Sequence, residues 1–276
     1  MSEVMQQGPA AVGVFDSGLG GLSVLHHIRA ELPAHALLYF ADSAYAPYGP
    51  KSEAEIIARS LTIVDFLLAQ GAQALVVACN TATVAAIKAI RQAHPHLPVV
   101  GVEPGLKPAA AASHSKKVGV LATAATLAGE KFKLLQQQVA QFYQVEFFLQ
   151  AGHGLVELVE QGELDSPRLR QLLHAWLAPM AAQGVDTLVL GCTHYPFLRP
   201  ALGQVMDAAG WQMQMVDTGA AIARQLQRVL QQHGLDAQTA LPAATLRGYT
   251  SGAKGHLQEA LQTLLGWQAQ VEAARI

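Results

Sequence analysis

The strongest constraint on the fold is a series of short, almost continuously apolar runs that alternate with longer segments of helical periodicity. Strands that are apolar at nearly every position are typical of parallel sheets covered by helices on both faces. The alternation therefore predicts an α/β protein with doubly wound parallel sheets. The predicted strands are 12–15, 37–40, 74–78, 99–102, 118–122, 145–149, 187–191 and 213–216.

Two of the predicted helices have clear start signals. Ser52 and Glu55 form the S-x-x-E pattern of a capping box. A second helix is predicted to begin at Ser166, with Pro167 in its first turn.

The chain also contains a faint internal repeat. "VGVFDSG" at 12–18 resembles "VGVLATA" at 118–124, and each precedes its own cysteine-containing segment, in the same order. These residues, Cys79 and Cys192, are the only cysteines in the sequence. The repeat predicts two similar halves, and the Pro- and Gly-containing segment 103–108 is the predicted boundary between them.

Size and charge limit the class of protein. The chain has 276 residues, of which 51% are hydrophobic and 14% charged, so it can bury the cores of two domains. A net charge of -2 argues against a nucleic-acid partner. No apolar run approaches the roughly 18 residues of a membrane span, and the start of the chain lacks the pattern of a secretion signal. We therefore expect a cytoplasmic protein with reduced thiols.

Each cysteine follows a predicted strand and precedes a predicted helix, at the edge where parallel α/β sheets bind ligands. A helix N-terminus attracts carboxylates and is expected to lower the pKa of a thiol. The alternatives are a packing role, a disulfide, which is rare in the cytoplasm, and a zinc site, for which too few ligands cluster in the sequence. Two matched cysteines instead suit racemisation, in which one thiol removes a proton from a carbon and the other protonates the opposite face.

Other polar residues are predicted at the same edge, although helix capping is an alternative role for several of them. Among them, His194 has an ordinary pKa that suits proton transfer near neutrality. A nucleotide-binding turn is only weakly supported, because Ser23 occupies the position of the last glycine in G-x-G-x-x-G. The candidate residues are Asp16, Ser17, Tyr48, Gly49, Asn80, Thr81, Thr193 and His194.

A set of motifs in the same order along nearly the whole chain resembles the glutamate racemases, cofactor-independent enzymes of the aspartate/glutamate racemase superfamily. The resemblance implies interconversion of L- and D-glutamate without cofactor or metal, which supplies D-glutamate for peptidoglycan, the cell wall and cell shape. The motifs are "GVFDSGLGGLSVL" (13–25), "YFADSAYAPYGPKS" (39–52), "ALVVACNTATVAAI" (74–87), "GVEPGLKPA" (101–109), "VGVLATAAT" (118–126), "LVLGCTHYPFL" (188–198) and "VDTG" (216–219).

The resemblance also implies residue roles. Cys79 and Cys192 would be the two proton donors and acceptors, with Asp16 assisting Cys79 and with His194 and Glu160 assisting Cys192. The implied substrate contacts are Asp16, Ser17, Tyr48, Gly49, Asn80, Thr81, Thr123, Thr193 and His194.

The implied architecture is a pair of α/β domains with the active site in the cleft between them. The first domain would comprise 1–102 plus 213–276, and the second 103–212. One stretch departs from the family, because Gly152 and His153 stand where its members commonly carry Cys-Pro. Both catalytic cysteines lie elsewhere, so we expect the reaction to be kept.

Two other functions stay open at this stage. Pocket size decides between glutamate and aspartate, so an aspartate racemase is one alternative. A non-catalytic module that binds acidic amino acids is the other, although binding alone requires neither thiol. The sequence also leaves open a homodimer, the DNA gyrase binding reported for some family members, activation by a cell-wall precursor, and the role of residues 1–11.

Overall fold

The computed structural model describes residues 11–235 and 245–276, which form two parallel sheets flanked by helices. Most of segment 1–11, whose role the sequence leaves open, lies outside the described residues. The strands are β1 (Ala11–Asp16), β2 (Ala36–Ala41), β3 (Ala72–Val77), β4 (Val99–Gly101), β5 (Lys117–Ala122), β6 (Glu146–Ala151), β7 (Thr187–Gly191), β8 (Gln214–Val216), β9 (Leu246–Thr250) and β10 (Gln270–Ala273). The α-helices are α1 (Leu22–Glu31), α2 (Glu53–Ala69), α3 (Asn80–Ala93), α4 (Leu106–Ala112), α5 (Ala124–Ala128), α6 (Glu130–Tyr143), α7 (Leu155–Glu160), α8 (Pro167–Ala182), α9 (Arg199–Ala209), α10 (Gly219–Gln232) and α11 (Lys254–Leu265).

The two sheets share one strand order. The first sheet runs β10-β9-β2-β1-β3-β4 and the second runs β6-β5-β7-β8. Strands β2-β1-β3-β4 therefore correspond one to one with β6-β5-β7-β8, and all of the pairings are parallel. The strands that carry the repeated motif, β1 and β5, occupy equivalent positions. The predicted α/β fold with two similar doubly wound parallel sheets is confirmed.

Both faces of each sheet are buried, which explains why the strands are apolar at almost every position. In the first sheet, Val12 and Val14 belong to a core formed with α1, α10 and α11, whereas Phe15 belongs to a core formed with α2 and α3. In the second sheet, Leu121 packs in a core formed with α7, α8 and α9, and Val120 in one formed with α4 and α6. Alternate residues along a strand therefore enter different cores.

The C-terminal part of the chain returns to the first sheet. Strand β9 pairs with β2 and β10 pairs with β9, while α10 packs against α1. The predicted division placed 213–276 in the first domain, but β8 within that segment pairs with β7 in the second sheet. The reason is that α9 connects β7 to β8, which lies beside β7 and parallel to it. With β8 in that place, the second sheet has the same strand order as β2-β1-β3-β4 of the first. The return therefore begins after Val216, with α10.

No helix within the described ranges is both long and apolar enough to cross a lipid bilayer.

Both predicted helix starts are confirmed. Ser52 and Glu55 form a reciprocal capping box at the start of α2. Ser166 is the N-cap of α8, which begins at Pro167, and its hydroxyl oxygen accepts the backbone N–H of Leu169 at 3.1 Å.

Replacing Ser166 with Ala should lower the free energy of unfolding by about 1 kcal/mol, because the N–H of Leu169 loses its acceptor. Ser166→Asp should keep most of the stability, since its carboxylate accepts the same hydrogen bond and suits a helix N-terminus. Urea unfolding of the two variants beside the parent measures the difference. Equal destabilisation by Ala and Asp would show that the cap is not the cause.

Candidate active site

Strands β3 and β7 occupy equivalent positions in the two sheets, and a cysteine follows the end of each of them. Cys79 follows β3 and is the N-cap of α3, where its sulfur accepts the N–H of Ala82 at 3.5 Å. Cys192 follows β7, but the chain then enters a 3-10 helix (Tyr195–Leu198) before α9 begins. The predicted strand-end position is therefore found for both thiols, whereas an α-helix N-terminus is found only for Cys79.

A single cavity of about 320 Å³ is lined by both cysteines and by residues of both domains. Cavities of this size are at the lower end of those that bind small molecules. Most of the predicted contact residues line it: Ser17, Tyr48, Gly49, Asn80, Thr81, Thr123, Thr193 and His194. Asp16 and Glu160 lie behind this wall, in contact with Thr193 and His194 respectively.

Cys192 is the first member of a hydrogen-bonded chain that runs away from the cavity. Its sulfur lies 3.7 Å from Nδ1 of His194, and Nε2 of His194 lies 2.5 Å from Oε1 of Glu160. Burial opposes a charge on His194, but the hydrogen bonds to Cys192 and Glu160 outweigh it and hold the pKa of His194 well above its ordinary value. Burial likewise opposes charge on Glu160, yet His194 and the N–H of Leu19 keep the pKa of Glu160 below its ordinary value. The pair is therefore an imidazolium and a carboxylate at neutral pH.

Cys79 has a different environment. Its sulfur contacts the hydroxyl of Ser17 at 3.6 Å and the N–H of Ala82. Burial and the nearby charge of Asp16 raise the pKa of Cys79 to about 12, although both of those contacts lower it. The N–H of Ala82 at the helix N-terminus does lower the pKa of this thiol, but the expected net lowering is wrong, because the desolvation of the buried sulfur is the larger effect. Cys79 is accordingly a protonated thiol near neutrality.

Asp16 joins the two domains. Its carboxylate accepts the N–H of Gly18 at 2.7 Å and the hydroxyl of Thr193 at 3.1 Å. Burial raises the pKa of Asp16, while the charge of His194 opposes that rise. The resemblance implied that Asp16 assists Cys79, and in this structure the carboxylate acts on that thiol through its charge while its hydrogen bonds go to Gly18 and Thr193.

The turn after β1 fits closely against the second domain. A Cβ atom on Gly20 would lie only 2.2 Å from Nδ1 of His194, and one on Gly18 would overlap the carboxylate of Glu160. Sequence reasoning missed Ser23, whose hydroxyl donates to the carbonyl of Thr193 at 2.7 Å across the domain boundary. A serine in the first turn of a helix has no pattern that would have indicated this contact.

Two of the remaining predicted residues contact each other in the wall of the cavity. Thr81 and Thr123 bring their hydroxyl oxygens to 3.2 Å from each other, one from each domain, and Thr123 also caps α5. The hydroxyl of Tyr48 donates to Asp42 rather than to the cavity, at 2.6 Å. His153, at the site of the departure from the family motif, is exposed and also lines the cavity. Among the residues that the structure describes, no group of three or more His, Cys, Asp or Glu side chains is placed to bind a metal ion.

Comparison with known proteins agrees with this arrangement. Residues 14–226 match the family model for Asp/Glu/hydantoin racemases. The chain belongs to this family. A glutamate racemase from Ectopseudomonas mendocina is 52% identical over 267 residues, which cover 97% of this chain and 99% of that protein.

Solved structures of family members have the same two-domain architecture. A glutamate racemase isoform from Bacillus anthracis superposes with a TM-score of 0.86 at 29% identity, over 97% of this chain and 98% of that one. The Escherichia coli glutamate racemase, in complex with L-glutamate and the activator UDP-MurNAc-Ala, superposes with a TM-score of 0.82 at 33% identity, over 96% of this chain and 98% of that one.

The raised pKa of His194 makes the stability of the folded protein depend on pH. Because the folded-state pKa is raised, the stabilisation by the imidazolium is fully present below about pH 6.5 and is lost as pH rises through the folded-state pKa. We expect His194→Asn to cost roughly 3 kcal/mol below that pH, since Glu160 is left buried beside a neutral partner.

That deficit should shrink as the pH is raised toward 9. Denaturant unfolding of the parent and of His194→Asn at a series of pH values above about 5.5 measures it, a range in which Glu160 of the parent is ionised. His96→Asn, at an exposed histidine, is the matched control. A deficit independent of pH would contradict the assignment of an imidazolium to His194.

Proposed function

We propose that this protein interconverts L- and D-glutamate, with Cys79 and Cys192 as acid/base groups on opposite sides of the α-carbon. The observation that carries this proposal is that the two thiols follow equivalent strands of two similar sheets and line one small cavity. The reaction has the same symmetry, because the proton leaves one face of the carbon and arrives on the other. Supply of D-glutamate for peptidoglycan is the role of this enzyme class.

The two thiols are prepared for different parts of that reaction. The raised pKa keeps Cys79 protonated, so it can deliver a proton. Cys192 contacts the imidazolium of His194, so a cation lies beside the sulfur that we assign to remove the α-proton. In the L-to-D direction the sulfur of Cys192 would take the α-proton, and the resulting carbanion would take the proton of Cys79 from the other side. Cys192 would then be the thiol and Cys79 the thiolate, ready for the reverse direction.

Backbone and hydroxyl donors at the cavity would bind the substrate's carboxylates. Asn80 and Thr81 begin α3, where unpaired N–H groups and the helix dipole favour an anion. Thr123, at the start of α5, lies within hydrogen-bond distance of Thr81 in the wall of the cavity. Donors held in position before the reaction also stabilise the carbanion-like transition state, in which negative charge spreads onto the carboxylate next to the α-carbon.

Several finer assignments belong to the same proposal. The E. coli relative contains UDP-MurNAc-Ala as an activator, so a cell-wall precursor is a candidate activator of this protein as well. A cytoplasmic location suits a reaction that requires both cysteines as free thiols, as they are in this structure. A homodimer and binding to DNA gyrase stay predictions.

The test of the reaction uses purified protein and L-glutamate in deuterated water. We expect the optical rotation to fall while deuterium enters the α-position of the D-glutamate product, because the proton delivered comes from an exchanged thiol. L-aspartate in place of glutamate tests the aspartate alternative. Glutamate binding with neither racemisation nor α-exchange would instead identify a non-catalytic binding protein.

A β-chloro analogue of glutamate separates the two thiols, because chloride elimination needs one proton abstraction and no reprotonation. By the family resemblance, Cys79 serves the D-enantiomer and Cys192 the L-enantiomer. Cys79→Ser should therefore still release chloride from the L-analogue while losing at least about 100-fold on the D-analogue, and Cys192→Ser should show the reverse preference. Chloride release from each enantiomer is the measurement. If both variants kept the same preference, the mechanism with two facing thiols would be wrong.

A further inference from the structure

The segment between β2 and α2 forms one wall of the cavity but has no regular secondary structure from Asp42 to Ser52. Tyr48 and Gly49 in this segment line the cavity together with the flanking prolines Pro47 and Pro50. A segment without helix or sheet hydrogen bonds must be held by side chains if it is to keep one conformation. The structure shows which side chains do so.

Asp42 is the centre of these contacts. Its side chain is fully buried, and its Oδ2 accepts the hydroxyl of Tyr48 at 2.6 Å. Its backbone is tied in two directions, because its N–H donates to the carbonyl of Asp16 at 3.0 Å and its carbonyl accepts the N–H of Tyr45 at 3.0 Å. Asp42 therefore connects the end of β1, where the site begins, to the wall formed by Tyr48.

Arg59, in the second turn of α2, fixes the carboxylate of Asp42 with two parallel hydrogen bonds. Nε donates to Oδ2 at 2.8 Å and Nη2 donates to Oδ1 at 2.7 Å. The third nitrogen, Nη1, donates to the carbonyl of Ile276 at 2.7 Å, and the guanidinium lies 4.0 Å above the ring of Tyr45. Every nitrogen of Arg59 is thus engaged, so its position and that of Asp42 are closely defined.

An ion pair at this degree of burial is not explained by stability alone. Removing two charges from water has a large unfavourable free energy, and apolar residues of similar volume often serve a fold equally well. What apolar residues cannot do is orient the hydroxyl of Tyr48 and the peptide groups that follow it. Directional hydrogen bonds of this kind define one conformation, which a binding wall needs.

We infer that Asp42 and Arg59 are positioning residues that hold the Tyr48–Gly49 segment in the conformation that binds substrate. The inference rests on the proposed function, because it takes this segment as part of the glutamate site. It also assigns Tyr48 a specific role. Its hydroxyl is committed to Asp42, so the residue contributes its ring and its backbone to the cavity and not a hydrogen bond from its phenol.

The two catalytic thiols do not depend on these contacts. Cys79 is held by Ser17 and Ala82, and Cys192 by His194. Loosening the wall should therefore weaken the binding of substrate and transition state together, which raises KM and leaves kcat nearly unchanged. Loss of a catalytic group would have the opposite pattern.

The test compares Arg59→Lys, which keeps the charge but loses the two-pronged geometry, with Tyr48→Phe, which removes one oxygen atom. Each should raise KM for both glutamate enantiomers about tenfold, the effect of one lost charge-assisted hydrogen bond, with kcat changed less than about threefold. The double variant should raise KM by about the same factor as either single one, because both substitutions act through Asp42.

Arg247→Lys is the matched control. Arg247 is in the same domain and pairs with Glu272, but it lies near the start of β9, at the edge of the sheet opposite the cavity. Its KM should stay within about twofold of the parent value. Thermal unfolding of each variant shows whether it is folded, and Tyr48→Phe carries the test alone if Arg59→Lys does not fold.

Unchanged KM in folded Tyr48→Phe and Arg59→Lys would overturn the inference, as would a fall in kcat at constant KM. Multiplicative effects in the double variant would show that the two residues do not act through one anchor. The proposed function fails separately, because an inactive parent protein contradicts the racemase assignment, whereas an active parent with insensitive variants contradicts only the positioning role.

Discussion

The site depends on the close contact between the turn after β1 and the second domain. Asp16 and Ser23 hydrogen-bond to Thr193, and the N–H of Leu19 donates to Glu160. The two surfaces lie so close at Gly18 and Gly20 that a side chain at either position would overlap the second domain. Separation of the domains would remove a donor from Glu160 and expose the His194 pair to water. The contacts that join the domains therefore also contribute to the charge state of Glu160, which pairs with His194 behind Cys192.

The two thiols have different surroundings, although they follow equivalent strands. Around Cys79, desolvation exceeds the effects of the helix N-terminus and the Ser17 hydroxyl, and the thiol keeps its proton. Around Cys192, the ion pair between Glu160 and the imidazolium of His194 places a cation in contact with the sulfur. A symmetric fold thus places its two cysteines in asymmetric environments, which suits the proposed reaction, in which one group begins as donor and the other as acceptor.

Several side chains that do not line the cavity hold the cavity-lining residues in one position. Glu160 orients His194 from behind, and Arg59 holds Asp42, which in turn holds Tyr48. Such a second layer restricts the first to one geometry, and loss of that restriction typically costs binding or rate without removing a reacting group. Of these supporting residues, sequence reasoning found only Glu160, and it did so through the family motif. Arg59 lies on a helix whose periodicity indicates burial but no partner.

The sequence by itself determined the α/β fold, the repeated halves and the two strand-end cysteines, because buried parallel strands and helix start signals are local patterns read over short windows. The tertiary structure alone decided where β8 pairs, since a three-residue strand fits either sheet by pattern. It also decided the protonation of Cys79 and His194, because a pKa depends on burial and on charges brought together from distant segments, such as Glu160 and His194. A local sequence pattern contains neither the burial of a group nor its distance from other charges. Cys79 and His194 could therefore be identified from the sequence, but their protonation states could not.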